Sequence, residues 1–287
     1  MTIRNPIEWS WDQLRLAAST IENATHSLGH IEEQLHSPLP EIRRISVADL
    51  RDALHRGIDD FAAYRMDVVF ICIVYPLVGL ILARAAFGGG LLPMIFPIAS
   101  GFALVGPFAG IGLYEMSRRR EQGKPAGWAD ALAIFHESSF GSIAFLGLVL
   151  IAIYFAWLIT AQAIYVVTLG PAPPVSLGIF VHDVFHTPAG WALAVFGIGA
   201  GFVYALVVLA IGAVSFPLLL DRDAGLDTAI RASIRAFKLN PGPMILWGAI
   251  VAAGLVAGSI PLFVGLIVVL PVLGHATWHL YRKLMPQ

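Results

Sequence analysis

Two pairs of histidines stand at helical spacing in this sequence, and either pair could serve a metal. His182 and His186, in His182-Asp183-Val184-Phe185-His186, lie four residues apart with a carboxylate beside the first. On a helix such positions share a face, so two imidazoles and Asp183 offer three ligands suited to zinc or copper. The motif lacks the glutamate of HExxH, the general base that a zincin protease requires. An interfacial helix explains the same residues without an ion, because Ile179, Val181, Val184 and Phe185 supply an apolar face for the membrane surface. That second role is the expectation. His275 and His279, in His275-Ala276-Thr277-Trp278-His279, share a face too. They fall in the last turns of an apolar stretch, where His and Trp act as interfacial anchors and complement a helix C-terminus.

Other reactive groups form no constellation. The single cysteine, Cys72, sits within an apolar run, so one chain holds neither a disulfide nor a cysteine-based zinc or iron–sulfur site. Asp130, His136 and Glu137 make no nucleophile–base set and read as a solvated face. Ion-coupled transporters place ionisable groups near the midplane. Here the apolar stretches offer only Gln162, Thr160 and scattered serines centrally, with Asp67, Arg84 and Glu115 at ends. Proton-coupled transport is disfavoured, and uncoupled passage of an apolar or weakly polar solute stays open. The chain is therefore expected to be non-enzymatic, with no cofactor and no nucleic-acid partner.

The elements that carry these residues follow from composition. Hydrophobic residues make up 57% and charged residues 13%, against roughly 45–50% and about 25% in soluble domains. A bilayer core about 30 Å thick needs about 20 apolar residues in a helix. Stretches 68–87, 91–113, 142–168, 191–220 and 243–280 meet that need. The last is long enough for two crossings and is interrupted by Gly258-Ser259-Ile260-Pro261, a turn signal that removes a helical N–H. The expected fold is thus an all-α polytopic transmembrane bundle of six spans. Of the 18 Lys and Arg residues, all but Arg84 then fall on one face, which the positive-inside tendency makes the cytoplasm, with both termini there. Arg84 lies close enough to its span's outer end to snorkel. No signal-peptide core stands in 1–13, so the first span is expected to direct insertion into the cytoplasmic (inner) membrane.

Residues 1–40 carry a heptad stripe, Leu14, Ala17, Ile21, Ala24, Leu28, Ile31 and Leu35, closed by Pro38 and Pro40. It suits either a coiled-coil partner or packing on the protein's own loops and the headgroup surface; the latter is expected. Residues 41–66 form a second amphipathic helix leading into the first span. It is opened by the capping box Ser46-x-x-Asp49 and striped by Val47, Leu50, Leu54, Ile58 and Phe61. Residues 67–287 are the six-span domain. Within it, Gly127-Trp128-Ala129-Asp130-Ala131-Leu132 and Gly225-Leu226-Asp227-Thr228-Ala229-Ile230 open similar loop helices, which suggests two parallel pseudo-repeats. Gly106-x-x-x-Gly110, Gly197-x-x-x-Gly201 and Gly254-x-x-x-Gly258 are small-residue patches for close helix packing or a homo-oligomer.

Several motifs together resemble a bacterial integral membrane family known as domain of unknown function 2189. They are Asp49-Leu50-x-x-Ala53-Leu54-x-x-Gly57-x-x-Asp60-Phe61, Tyr75-Pro76-x-x-Gly79, Gly106-Pro107-x-x-x-x-Gly112-Leu113-Tyr114 and Phe216-Pro217-Leu218-Leu219-Leu220-Asp221. Some members are labelled cytochrome c oxidase subunits. A haem–copper catalytic subunit needs several mid-membrane histidines, and this chain has none. The leading expectation is an interaction, accessory or assembly protein that touches the bilayer and other membrane proteins. A transporter or channel-like protein for a weakly polar solute, and a metal- or haem-associated respiratory component using His182, Asp183 and His186, are the alternatives.

Overall fold

The computed structural model describes residues 39–73, 76–81, 84, 91–131, 139–222 and 224–286, and every regular element among them is helical. Helix α1, Val47–Cys72, starts after Ser46, whose N–H and hydroxyl both donate to the Asp49 carboxylate at 2.8 Å. Only half of the expected capping box forms, since the Ser46 hydroxyl is turned to Asp49 and the Asp49 N–H meets the Ser46 carbonyl instead at 3.1 Å. The helix kinks at Tyr64, where φ is −115° and ψ is 19°.

The buried face of α1 differs from the expected stripe. Leu50, Ala53, Gly57 and Asp60 point inward, while Val47 and Ile58 are exposed. The reason lies at Gly57, where an added Cβ would come within 2.7 Å of Ala276 and of the Val272 carbonyl. Backbones meet there, and only the small-residue face of α1 allows it. The partner is the C-terminal helix α13, Leu266–Leu284.

The second apolar stretch is not one regular helix. After a 3₁₀ turn at Leu92–Met94 it runs as α2 Ile95–Ala99, α3 Gly101–Leu104, α4 Gly106–Ala109 and α5 Ile111–Glu121. Pro97 and Pro107 lack the N–H that would continue the ladder, and the breaks fall at Ser100, Val105 and Gly110. A short helix α6, Trp128–Ala131, follows.

Next come α7 Phe140–Leu169, α8 Leu177–His186 and α9 Pro188–Gly212. Ser176 and Thr187 cap α8 and α9 by accepting the N–H groups of Ile179 and Gly190. Helices α7 and α9 pack side by side, Trp157 against Tyr204 at 5.6 Å between centroids. Trp157 also donates to Ser100 at 2.8 Å, which holds α7 to the segmented stretch at one of its breaks. A turn at 213–214 separates α9 from α10 Ser215–Asp221, and Ser233 of α11 Leu226–Leu239 accepts the Val214 N–H there. The inward face of α11 is small, with Ala229, Ala232, Ser233 and Ala236 buried.

Helices α12 Pro241–Ser259 and α13 Leu266–Leu284 form a hairpin. The turn lies where Gly258-Ser259-Ile260-Pro261 predicts it, extended to Gly265, and Gly258 and Gly265 are too close for a side chain on either. Three helical stretches among the described residues are long and apolar enough to cross a membrane: Phe140–Leu169, Pro188–Asp221 and Pro241–Ser259. The chain is an all-helical membrane protein, and its amino-terminal heptad stripe lies outside the described residues.

Candidate functional site

Helices α1, α5 and α13 meet at one buried carboxylate. Asp60 of α1 accepts the Ser117 hydroxyl at 2.5 Å and His279 Nε2–H at 2.8 Å on one oxygen, and Arg120 on the other. Ser117 also lies 2.8 Å from His275 Nδ1. A hydroxyl has one proton; with it on Asp60, His275 must present Nδ1–H to the serine oxygen. Burial of Asp60 favours its neutral form, but the hydrogen bonds from His279 and Ser117 and the charges of the imidazoles outweigh it. The carboxyl is held below its ordinary value.

Serine, histidine and aspartate within hydrogen-bonding reach invite comparison with a hydrolase triad. The roles are wrong for one. The serine proton goes to the carboxylate rather than to imidazole, and Ser117 is 1% exposed, so no substrate reaches it. What the arrangement does is hold three helices at one point.

Two more charge clusters finish this end of the bundle. Glu115 lies 2.7 Å from Arg118 and 2.8 Å from Arg119, and Arg119 reaches Asp130 at 2.6 Å. The Arg118 pair is close but poorly aligned as a hydrogen bond, because that guanidinium is also drawn to the Leu220 carbonyl of α10. Asp221 accepts the Tyr281 hydroxyl at 2.6 Å and a two-point contact from Arg282 at 2.7 and 2.9 Å. Burial and the Asp221 charge push the Tyr281 phenol up. Burial works against the Arg282 charge, but Asp221 and Glu121 outweigh it and raise the guanidinium. Chain ends are drawn in as well: Arg43 N–H donates to the Leu284 carbonyl and Ile45 N–H to Asn240 Oδ1, each at 2.8 Å.

Beside this charged end is a cavity of about 330 Å³ between the segmented stretch and α9, α12 and α13. Its wall includes Ala103, Gly106 and Pro107 from the broken helix, and Leu113, Gly274 and Thr277 toward the charged end. Among the described residues no charged side chain lines it. Thr277 gives its hydroxyl proton to the Leu273 carbonyl at 2.7 Å. Pro107 has no N–H to offer the Ala103 carbonyl, and both residues line the cavity.

The sequence-predicted metal ligands stand elsewhere. His182 and His186 are exposed on α8, their rings stacked at 4.6 Å and 11°. His182 Nδ1 is 3.6 Å from Asp183, and His186 Nδ1 is 3.0 Å from the His182 carbonyl. Among the described residues no group of three or more His, Cys, Asp or Glu side chains is placed to hold a metal. Ile179, Val181 and Phe185 of the same helix are exposed as an apolar face. The other pair departs from its expected anchoring role, since His275 is fully buried and His279 is turned inward to Asp60. Sequence reasoning treated Asp60 as one position of a motif; its place on the small face Ala53, Gly57, Asp60 was the available signal. Asp130, expected on a solvated face, is paired with Arg119, while His136 and Glu137 lie outside the described residues.

No curated protein and no solved structure matches the chain. The family described as predicted integral membrane protein (DUF2189) matches residues 95–221, from the start of the broken helix through α10, a part that contributes Ser117 and Arg120 to the polar cluster and one wall of the cavity.

Proposed function

We propose that this chain is a non-enzymatic protein of the cytoplasmic membrane that binds an apolar or weakly polar solute inside its bundle and passes or holds it there. The observation that carries this reading is the broken helix α2–α5 lying against an uncharged cavity, the arrangement by which membrane proteins make binding sites from interrupted spans. The test is photolabelling of the purified full chain with a photoreactive alkylphenol. Saturable labelling of Leu113, Tyr114, Leu273 or Thr277, lost in Ala252→Trp, is expected. Absence of any saturable interior label overturns the reading.

The topology proposed for it is six spans, with both termini cytoplasmic and two parallel pseudo-repeats. Segregation of Lys and Arg supports it, and the charged end holding Asp60 is then cytoplasmic. Reporter fusions after Gly123 and Gln287 should read cytoplasm and one near Pro174 the exterior.

An accessory or assembly role is the second reading. Its support has narrowed, because the amphipathic faces of α1 and α11 pack on the protein's own helices. Residues 1–38 are its remaining basis, tested by co-purification with and without residues 1–40. A respiratory role through His182, Asp183 and His186 rests on sequence spacing alone.

A further inference from the structure

The cavity is not closed on every side, and its opening identifies what enters. Of the residues lining it, those that are also exposed include Phe202 and Ala205 on α9 and Ile245, Ala249 and Ala252 on α12. Both helices lie in stretches apolar and long enough to cross a membrane. The mouth therefore opens sideways, toward the hydrocarbon of the bilayer. On α12 it lies beyond Gly248, at Ala249 and Ala252. Its edges are small where they face each other: Ala205 on one side, Ala249 and Ala252 on the other. Toward the charged end, α9 and α12 close up again, since a Cβ on Gly248 would meet Leu209 at 2.9 Å.

Among the described residues the far wall is closed where α13 meets α5. A Cβ on Gly274 would lie 2.5 Å from Leu113, so α13 and α5 are in contact there. His275, the next residue of α13, and Ser117, four residues further along α5, are joined to Asp60 behind that contact. A slit-shaped mouth, an uncharged lining and a closed charged end select a long, thin, apolar occupant. Water is a poor filling for such a space.

Resting on the reading of this cavity as a binding site, we infer that its occupant is one acyl chain of a membrane lipid, entering laterally between α9 and α12. The headgroup stays at the membrane surface on the side away from the charged end, and the chain enters past Ala205 and Ala252 with its end against the broken helix. No bond is made or broken.

The test places the full-length protein in nanodiscs containing a phosphatidylcholine with a diazirine at the end of one acyl chain, followed by peptide mapping. Surface labelling of Phe202 is expected of any lipid-facing residue and decides nothing. The expected result is labelling of buried Leu113, Tyr114 or Leu273 that is competed by unlabelled lipid and lost in Ala252→Trp, with the variant's thermal stability retained. Should Ala252→Trp fail to fold, Ala205→Leu provides the same obstruction from the opposite edge. Interior labelling by the alkylphenol without interior labelling by the acyl probe overturns the acyl-chain inference and leaves the binding site standing. Interior labelling by neither overturns both.

Discussion

Helices α5 and α13 are treated in opposite ways along their length. At the charged end, Ser117 and Arg120 of α5 and His275 and His279 of α13 converge on Asp60, three of them bonding its carboxylate directly and His275 through Ser117. On other faces, and a turn earlier on α5, the same helices present Leu113, Gly274 and Thr277 to an uncharged cavity. The contrast teaches how a bundle with little charge divides its labour. Polar pairing fixes the helix ends to one another, and that rigidity lets the neighbouring segment stay hollow without collapsing.

The largest expected effect comes from removing the hub of the closed region. Asp60→Ala leaves buried imidazoles and Arg120 without their acceptor, and breaking a buried pair on one side costs about 3–5 kcal/mol. Thermal unfolding in detergent should show a large fall in midpoint. A shift no greater than that of an exposed-site control would mean the cluster is incidental to closure.

Next is the backbone contact that brings Asp60 into place. Gly57→Leu must push α1 off α13, because backbone atoms of Val272 and Ala276 occupy the position of its Cβ. Overpacking of this kind costs about 1–3 kcal/mol. Cysteine cross-linking between α1 and α13 should weaken in parallel with stability. Ala205→Leu, at the edge of the hollow region, should leave the unfolding midpoint nearly unchanged, and a loss equal to that of Gly57→Leu would erase the contrast between the two regions.

A smaller, graded effect follows from pH. The Asp60 carboxyl is held below its ordinary value by His279 and Ser117, so ionised Asp60 favours the folded state. A depressed carboxyl contributes stability that is fully present above the unfolded value, near pH 4, and is lost as pH falls through the lower folded value. Arg120, His275 and His279 face the same carboxylate. Acid unfolding of the wild type should steepen below about pH 4, and Asp60→Asn should lose that component. Identical slopes would separate Asp60 from acid sensitivity.

Much of this architecture was legible in the sequence, for physical reasons that also explain what was hidden. The helical class and the α12–α13 turn follow from apolar length and from Gly258 and Pro261, since both signals are local. The breaks in α2–α5 were marked by Pro97 and Pro107, yet apolar content alone made 91–113 look like one unbroken helix. The α1 stripe was rotated because hydrophobicity ranked Val47 and Ile58 above Ala53 and Gly57, although close backbone packing rewards small residues. The polar cluster joins positions 60, 117, 275 and 279, and no local pattern encodes a contact across that separation. A cavity is the absence of side chains from several helices at once and has no sequence pattern of its own.

The smallest expected effect lies at α8, whose histidines are as exposed as those of the Asp60 cluster are buried. His182 and His186 stack on one another, and Asp183 sits 3.6 Å from the first ring, with His186 Nδ1 directed to a backbone carbonyl on its own helix. Two stacked rings present their nitrogens side by side rather than toward a common point, while Ile179 and Phe185 give α8 an apolar face that suits the membrane surface. The double change His182→Ala and His186→Ala is therefore expected to leave the unfolding midpoint and the metal content of the purified protein unchanged. Elemental analysis of both proteins checks this. Stoichiometric zinc or copper in the wild type that disappears in the double variant would make α8 a metal site, because Asp183 alone is too poor a ligand set to retain either ion. The functional centre would then move from the cavity to the external surface.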